Sequence, residues 1–129
     1  MIYITTGTTF YSFISLEKVA NYLSQYCNIF YQSNSKTNIL NKNIMLASEL
    51  SFDKHVETIK EADFVITHAG PGNIYLCEKF AKAYTVIPRR SHLNEHIDNH
   101  QVYFYLSLKQ NPKIKYNHYS EQLKKIIMR

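Results

Sequence analysis

Residues 63–67, DFVIT, are apolar almost without a break, and residues 68–73, HAGPGN, carry two of the chain's three glycines. A run that is apolar on both faces must be covered on both, which is the condition of a strand inside a parallel sheet. A glycine-rich turn straight after it, leading into a helical pattern, is the strand–turn–helix step of an α/β fold. No other feature constrains the chain as strongly. The glycines also pose a question, because something must pass so close to the backbone there that a side chain would obstruct it.

The rest of the chain repeats that step. IYIT (2–5) is short, apolar and β-branched, and runs into TGTT. Leu16, Val19, Ala20 and Leu23 then recur at helical spacing, with Ser15 as the expected N-cap. NIFYQS (28–33) reads as a second strand, 34–43 as a polar loop and IMLA (44–47) as a third strand. Ser51 can cap a helix whose face is Phe52, Val56 and Ile59, leading into DFVIT. A helix over about 73–82 leads to the strand YTVIP (84–88), stopped by Pro88. A helix over about 95–108 is expected to turn Ile97, Phe104 and Leu108 inward. After a polar loop, a last helix over about 119–128 sets Leu123, Ile126 and Ile127 opposite Lys124 and Lys125. This order predicts an α/β fold: one Rossmann-like domain over residues 1–129, a mostly parallel sheet with helices on both faces. Ligands of such sheets lie beyond the C-terminal strand ends. Three loops are candidates: TGTT, HAGPG and PRRSHLNEH.

Composition narrows the partners. A net charge of +5 suits nucleic acid, anionic lipid or a phosphorylated ligand. The charges are dispersed, Arg89-Arg90 and Lys124-Lys125 are the clearest clusters, and no nucleic-acid motif is present, which argues against the first class. Cys27 and Cys77 lack metal spacing and fit a reducing cytoplasm. Neither a signal-peptide pattern nor an apolar run near 18 residues occurs, so attachment to a membrane is expected only through something else.

Gly70 and Gly72, between strand and helix, can let a phosphate reach backbone N–H groups at a helix N-terminus. Asn73 is placed as a cap or first-turn donor, and His68 at the strand end can donate to a phosphate oxygen. Gly7 with Thr8 and Thr9 offers a second cradle, and Arg89 and Arg90 add charge at the third loop, so a diphosphate is the expected ligand. The plainer alternative is that the glycines only shape a turn and the histidine only packs. In EHIDNHQ (95–101), His96 and His100 share a helical face, but no glutamate stands between them in the metalloprotease pattern and no third ligand is evident, so no metal is expected.

HAGPGN, VIPRR and NEHIDNHQ, in that order, resemble the C-terminal domain of GT-B glycosyltransferases of the family 28 type. The small single-domain members are most similar: the capsular and exopolysaccharide subunits of bacteria, and the catalytic subunit of the eukaryotic two-part enzyme that adds the second N-acetylglucosamine to a dolichol-linked sugar. IYITTGTT matches their start as well, so the likeness covers nearly the whole chain. It implies a UDP-sugar donor and no metal cofactor. Gly7, Thr8, Thr9, His68, Ala69, Gly70, Gly72 and Asn73 would then face the diphosphate. Gln101 would read hydroxyls of the donor sugar, while Glu95, His96 and Asp98 match the family motif and Arg89 its basic residue after the strand-ending proline. His68, Arg89 and Glu95 become the expected catalytic residues. The likeness further implies hexose transfer to a lipid-linked acceptor in surface polysaccharide synthesis. A membrane-anchored partner subunit would carry the acceptor site and hold this cytoplasmic chain at the inner face of the membrane. Three positions depart from the pattern: Leu76 stands where relatives carry an acid for the ribose, Ala81-Lys82-Ala83 replaces Gly-Lys-Pro, and Ile14 follows Phe13 in place of a polar residue. They leave open a second reading, a nucleotide-sugar-binding subunit without turnover.

Overall fold

The computed structural model describes residues 1–35, 37 and 42–109, the last two by backbone alone. The expected helix over 119–128 lies outside these residues. Five strands, β1 (Ile2–Thr5), β2 (Ile29–Gln32), β3 (Ile44–Ala47), β4 (Phe64–Thr67) and β5 (Tyr84–Val86), form one sheet in the order β3-β2-β1-β4-β5. Every pairing is parallel, and Ile2 of β1 sits beside both Ile29 of β2 and Phe64 of β4. The helices are α1 (Ile14–Leu23), α2 (Phe52–Glu61), α3 (Pro71–Lys79) and α4 (His100–Lys109), with a short 3-10 turn at Ser91–Leu93. The fold is therefore the Rossmann-like α/β sheet that the alternation of elements requires.

Strand alternation divides the core. Ile2 and Ile4 of β1, with Ile29, Tyr31, Phe64 and Ile66, meet Leu16, Ala20 and Leu23 of α1 on one face. Tyr3, Val65, Tyr84 and Val86 meet Ile59 of α2 and Ile74 and Cys77 of α3 on the other. Among the described residues, no helix is long and apolar enough to cross a membrane.

Local chemistry moves several boundaries. Phe13, not Ser15, is the N-cap of α1, and it offers no side-chain cap; Ser15 lies inside the helix, where its backbone N–H donates to Glu95 Oε2 at 2.8 Å. A carboxylate 80 residues away thus does the work expected of a local hydroxyl. Helix α3 begins two residues earlier than expected because Pro71, at the first turn, needs no N–H partner there. Its end is set by Ala81, held at φ 49°, a conformation that glycine adopts freely and alanine only with strain. Lys82 Nζ then donates to the carbonyls of Lys60 and Ala62 at the end of α2. The helix expected from residue 95 starts only at His100, since Asn94 at φ 57° and the turns around it break the pattern. Ile97 consequently lies outside the helix and is 76% exposed, whereas Phe104 packs against the core as expected.

Ser51 does cap α2, its hydroxyl accepting from Lys54 N at 3.2 Å. Ser51→Ala should lower stability by about 1 kcal/mol, the usual worth of such a cap. Urea denaturation of the two proteins reads this as a lower midpoint at unchanged slope.

Candidate functional site

The connections from β1 to β2 and from β2 to β3 step to one side of β1, and the connection from β3 then crosses to β4 on its other side. The C-terminal ends of β1 and β4 therefore flank the switch point, where such sheets open a crevice. A pocket of about 540 Å³ lies there. Gly7 and Thr8 form one wall, His68 and Gly70 to Asn73 a second. A third comes from Glu49, Leu50, Phe52 and His55, from the β3–α2 connection and the start of α2. Phe52 is 69% exposed, an aromatic shelf at the mouth. This third wall was missed in the sequence, which carries no glycine turn there; an aromatic at the first position of a helix, beside a strand end, was the available signal.

The glycines answer to the imidazole of His68. A Cβ at Gly70 would stand 2.2 Å from its Cε1, and one at Gly7, where φ is also +87°, 2.7 Å from its Nε2. Real Cβ atoms do not approach so closely, so the two glycines bracket the ring. Gly72 differs, because a Cβ there would meet nothing within 4 Å. Its N–H and that of Asn73 lie in the first turn of α3, and no acceptor among the described residues takes them. The side chain of Asn73 turns away into a strut. Tyr3 O–H donates to His55 Nδ1 (2.7 Å), His55 Nε2 donates to Asn73 Oδ1 (2.8 Å), and Asn73 Nδ2 donates to Thr67 Oγ1 (3.0 Å). It supports the loop instead of capping it.

Burial depresses the pKa of His68 to about 4, helped by the charge of Arg89 and by His55 and His96. The ring is neutral at physiological pH. Gln101 sits behind it, buried, with Oε1 accepting from the backbone N–H groups of Arg89 (3.0 Å) and Ala69 (3.3 Å) and Nε2 at 3.2 Å from His68 Nδ1.

Arg89 and Glu95, expected to act on the ligand, are both fully buried and form the frame of the site. The guanidinium donates to Thr6 O through Nε (3.2 Å) and Nη2 (2.6 Å), and through Nη1 to Tyr11 O (3.0 Å) and Glu95 O (2.8 Å). It lies 4.4 Å over the ring of Phe13. Desolvation lowers its pKa to about 10, which still leaves it charged. The Glu95 carboxylate accepts from Ser15 N and Arg90 N. Arg89 is thus committed to main-chain carbonyls and Glu95 to main-chain amides, and neither lines the pocket. Thr9 and Ala69 do not line it either, while Gly7, Thr8, His68, Gly70, Gly72 and Asn73 do.

His96, Asp98 and His100 also lie outside the pocket walls. His96 stacks on Tyr11 at 6.3 Å. An oxygen of Asp98 and the imidazoles of His96 and His100 offer atoms within 4.8 Å of one another. That oxygen already accepts from His100 N (3.0 Å) and stands 2.6 Å from His100 Nδ1, satisfying the start of α4.

Two outcomes follow. Arg89→Met strands the carbonyls of Thr6, Tyr11 and Glu95, and should cost at least about 3 kcal/mol in urea unfolding. The folded pKa of His68 lies below its ordinary 6.5, so its neutral form favours folding. That contribution is whole above pH 6.5, is lost as pH falls towards 4, and amounts to on the order of 3 kcal/mol. Stability measured at pH 7 and pH 4 should therefore fall less in His68→Asn than in the wild type.

No curated protein matches the chain in sequence. The sequence pattern of the Glycosyltransferase family 28 C-terminal domain matches residues 1–128. With a five-stranded parallel sheet, a crevice at its switch point and a match over the whole chain, the protein belongs to the glycosyltransferase family 28 C-terminal domain family, the donor-binding half of the GT-B fold.

Proposed function

We propose that this chain binds a UDP-sugar and is the catalytic donor half of a hexosyltransferase acting on a lipid-linked acceptor in surface polysaccharide synthesis. The observation that carries the reading is the pocket, where the free N–H groups of Gly72 and Asn73, the Gly7 turn and the neutral imidazole of His68 converge. Helix N-terminal amides favour a diphosphate through their partial positive charge. The apolar shelf of Leu50 and Phe52 suits a base, and the carboxylate of Glu49 beside it suits ribose hydroxyls. As the bond from sugar to diphosphate breaks, negative charge grows on the leaving group, and donors already aimed at it stabilise that charge. His68 and the amides of α3 are the groups for this step, while Arg89, Glu95 and Gln101 hold the loops that carry them. The acceptor comes from a membrane-associated partner subunit, which brings the reacting hydroxyl to the donor.

A second reading, a nucleotide-sugar-binding subunit without turnover, is favoured by one observation. Leu76, at the position where relatives carry an acid, is on the buried face of α3 and offers the pocket no carboxylate. Turnover of a UDP-sugar by the chain together with its partner decides between the two.

Calorimetry with UDP tests the site itself. The wild type should bind, and Gly72→Val, whose side chain enters open space, should keep its thermal midpoint and lose affinity at least about tenfold by blocking approach to the amides. Equal affinity in the two proteins would put the diphosphate elsewhere.

A further inference from the structure

We propose that Gln101 is a positioning residue that fixes His68 as the Nε2–H tautomer, so that a neutral histidine donates a hydrogen bond to an anionic phosphate oxygen in the pocket. The argument begins with the amide. Its oxygen must face the N–H groups of Ala69 and Arg89, since neither can accept a hydrogen bond. The amide nitrogen is thereby turned to His68 Nδ1, 3.2 Å away, and an amide nitrogen can only donate. Nδ1 must then carry the lone pair, and the single proton of the neutral ring resides on Nε2.

The far side of the ring completes the picture. Nε2 lies between the Cβ positions of Gly7 and Gly70, at 2.7 and 2.6 Å, and both glycines line the pocket. No described residue accepts from it. The bracket prevents the ring from tilting, and burial next to the charged Arg89 keeps it from gaining a second proton. A cationic histidine would bind an anion more tightly but would do so only at acid pH. A neutral donor fixed in place serves across the physiological range.

The role of Gln101 therefore differs from that of a residue reading sugar hydroxyls. The residue is 5% exposed, both ends of its side chain are engaged, and it is absent from the pocket walls. The tautomer follows from the hydrogen bonds alone, whereas the phosphate oxygen as its recipient rests on the UDP-sugar reading above.

Nitrogen-15 NMR of the histidine-labelled full chain tests both parts. Without ligand at pH 7, the long-range proton–nitrogen pattern of His68 should show protonated Nε2 and unprotonated Nδ1; a proton on Nδ1 overturns the proposal. Gln101→Glu keeps an oxygen for the two amides and presents a second acceptor to Nδ1. In that variant Nδ1 should become protonated, and an unchanged Nδ1 would show that Gln101 does not set the tautomer. If the variant fails to fold, the wild-type pattern still decides. UDP is then added to the wild type while calorimetry follows binding. Binding with a shift of the Nε2–H resonance supports the donor role. Binding with that resonance unmoved overturns it and leaves the UDP reading intact. Absence of UDP binding removes the phosphate recipient together with the UDP reading, and leaves the tautomer assignment standing.

Discussion

The guanidinium of Arg89 is the joint between two loops that the sheet brings near each other and does not itself connect. It leaves the end of β5 and donates to Thr6 O, Tyr11 O and Glu95 O, closing the segment after β1 onto the segment before α4. A cation without water needs its donors filled, and these carbonyls, in loops without a ladder of their own, need a donor. Each requirement meets the other. Lysine, a point charge on a flexible stem, could not reach carbonyls on both loops in one planar geometry.

Glu95 repeats the device with the opposite sign. Its carboxylate takes the N–H of Ser15 at the start of α1 and that of Arg90. One segment, residues 89–101, therefore supplies a cation for orphan carbonyls, an anion for orphan amides and, in Gln101, an amide whose oxygen takes two more backbone amides while its nitrogen faces the His68 ring. The hydrogen bonds of both charged groups go to backbone, the charge of Glu95 helps keep Arg89 protonated, and neither side chain lines the pocket.

The skeleton of the fold was legible because it rests on periodicity. The strands at 2–5 and 44–47, and the capped helix after Ser51, follow from alternation, β-branching and a hydroxyl before a helical face. What escaped was decided over long sequence distances. Ser15 looked like a cap because a local hydroxyl usually is one, and nothing nearby reveals that Glu95 takes its N–H. Ile97 looked inward because helical spacing links it to Phe104 and Leu108, but the helix had not yet begun. Gln101 does lie inward, for the different reason that backbone amides of two loops need an acceptor. The site was half legible. The glycine turns marked the pocket's place, while the wall from Glu49 to His55 has no motif and is brought there only by the sheet order.

Gly7, His68 and Gly70 come from two different strand ends, yet they are one steric object, a ring and the two gaps that admit it. Their histories must be tied. A side chain at Gly70 is tolerated only once the ring has gone, whereas Gly7 stays bound to glycine by its φ of +87° even then. Substitution at 68 and 70 is ordered: the histidine changes first, Gly70 is free to follow, and Gly7 keeps a second reason to stay glycine.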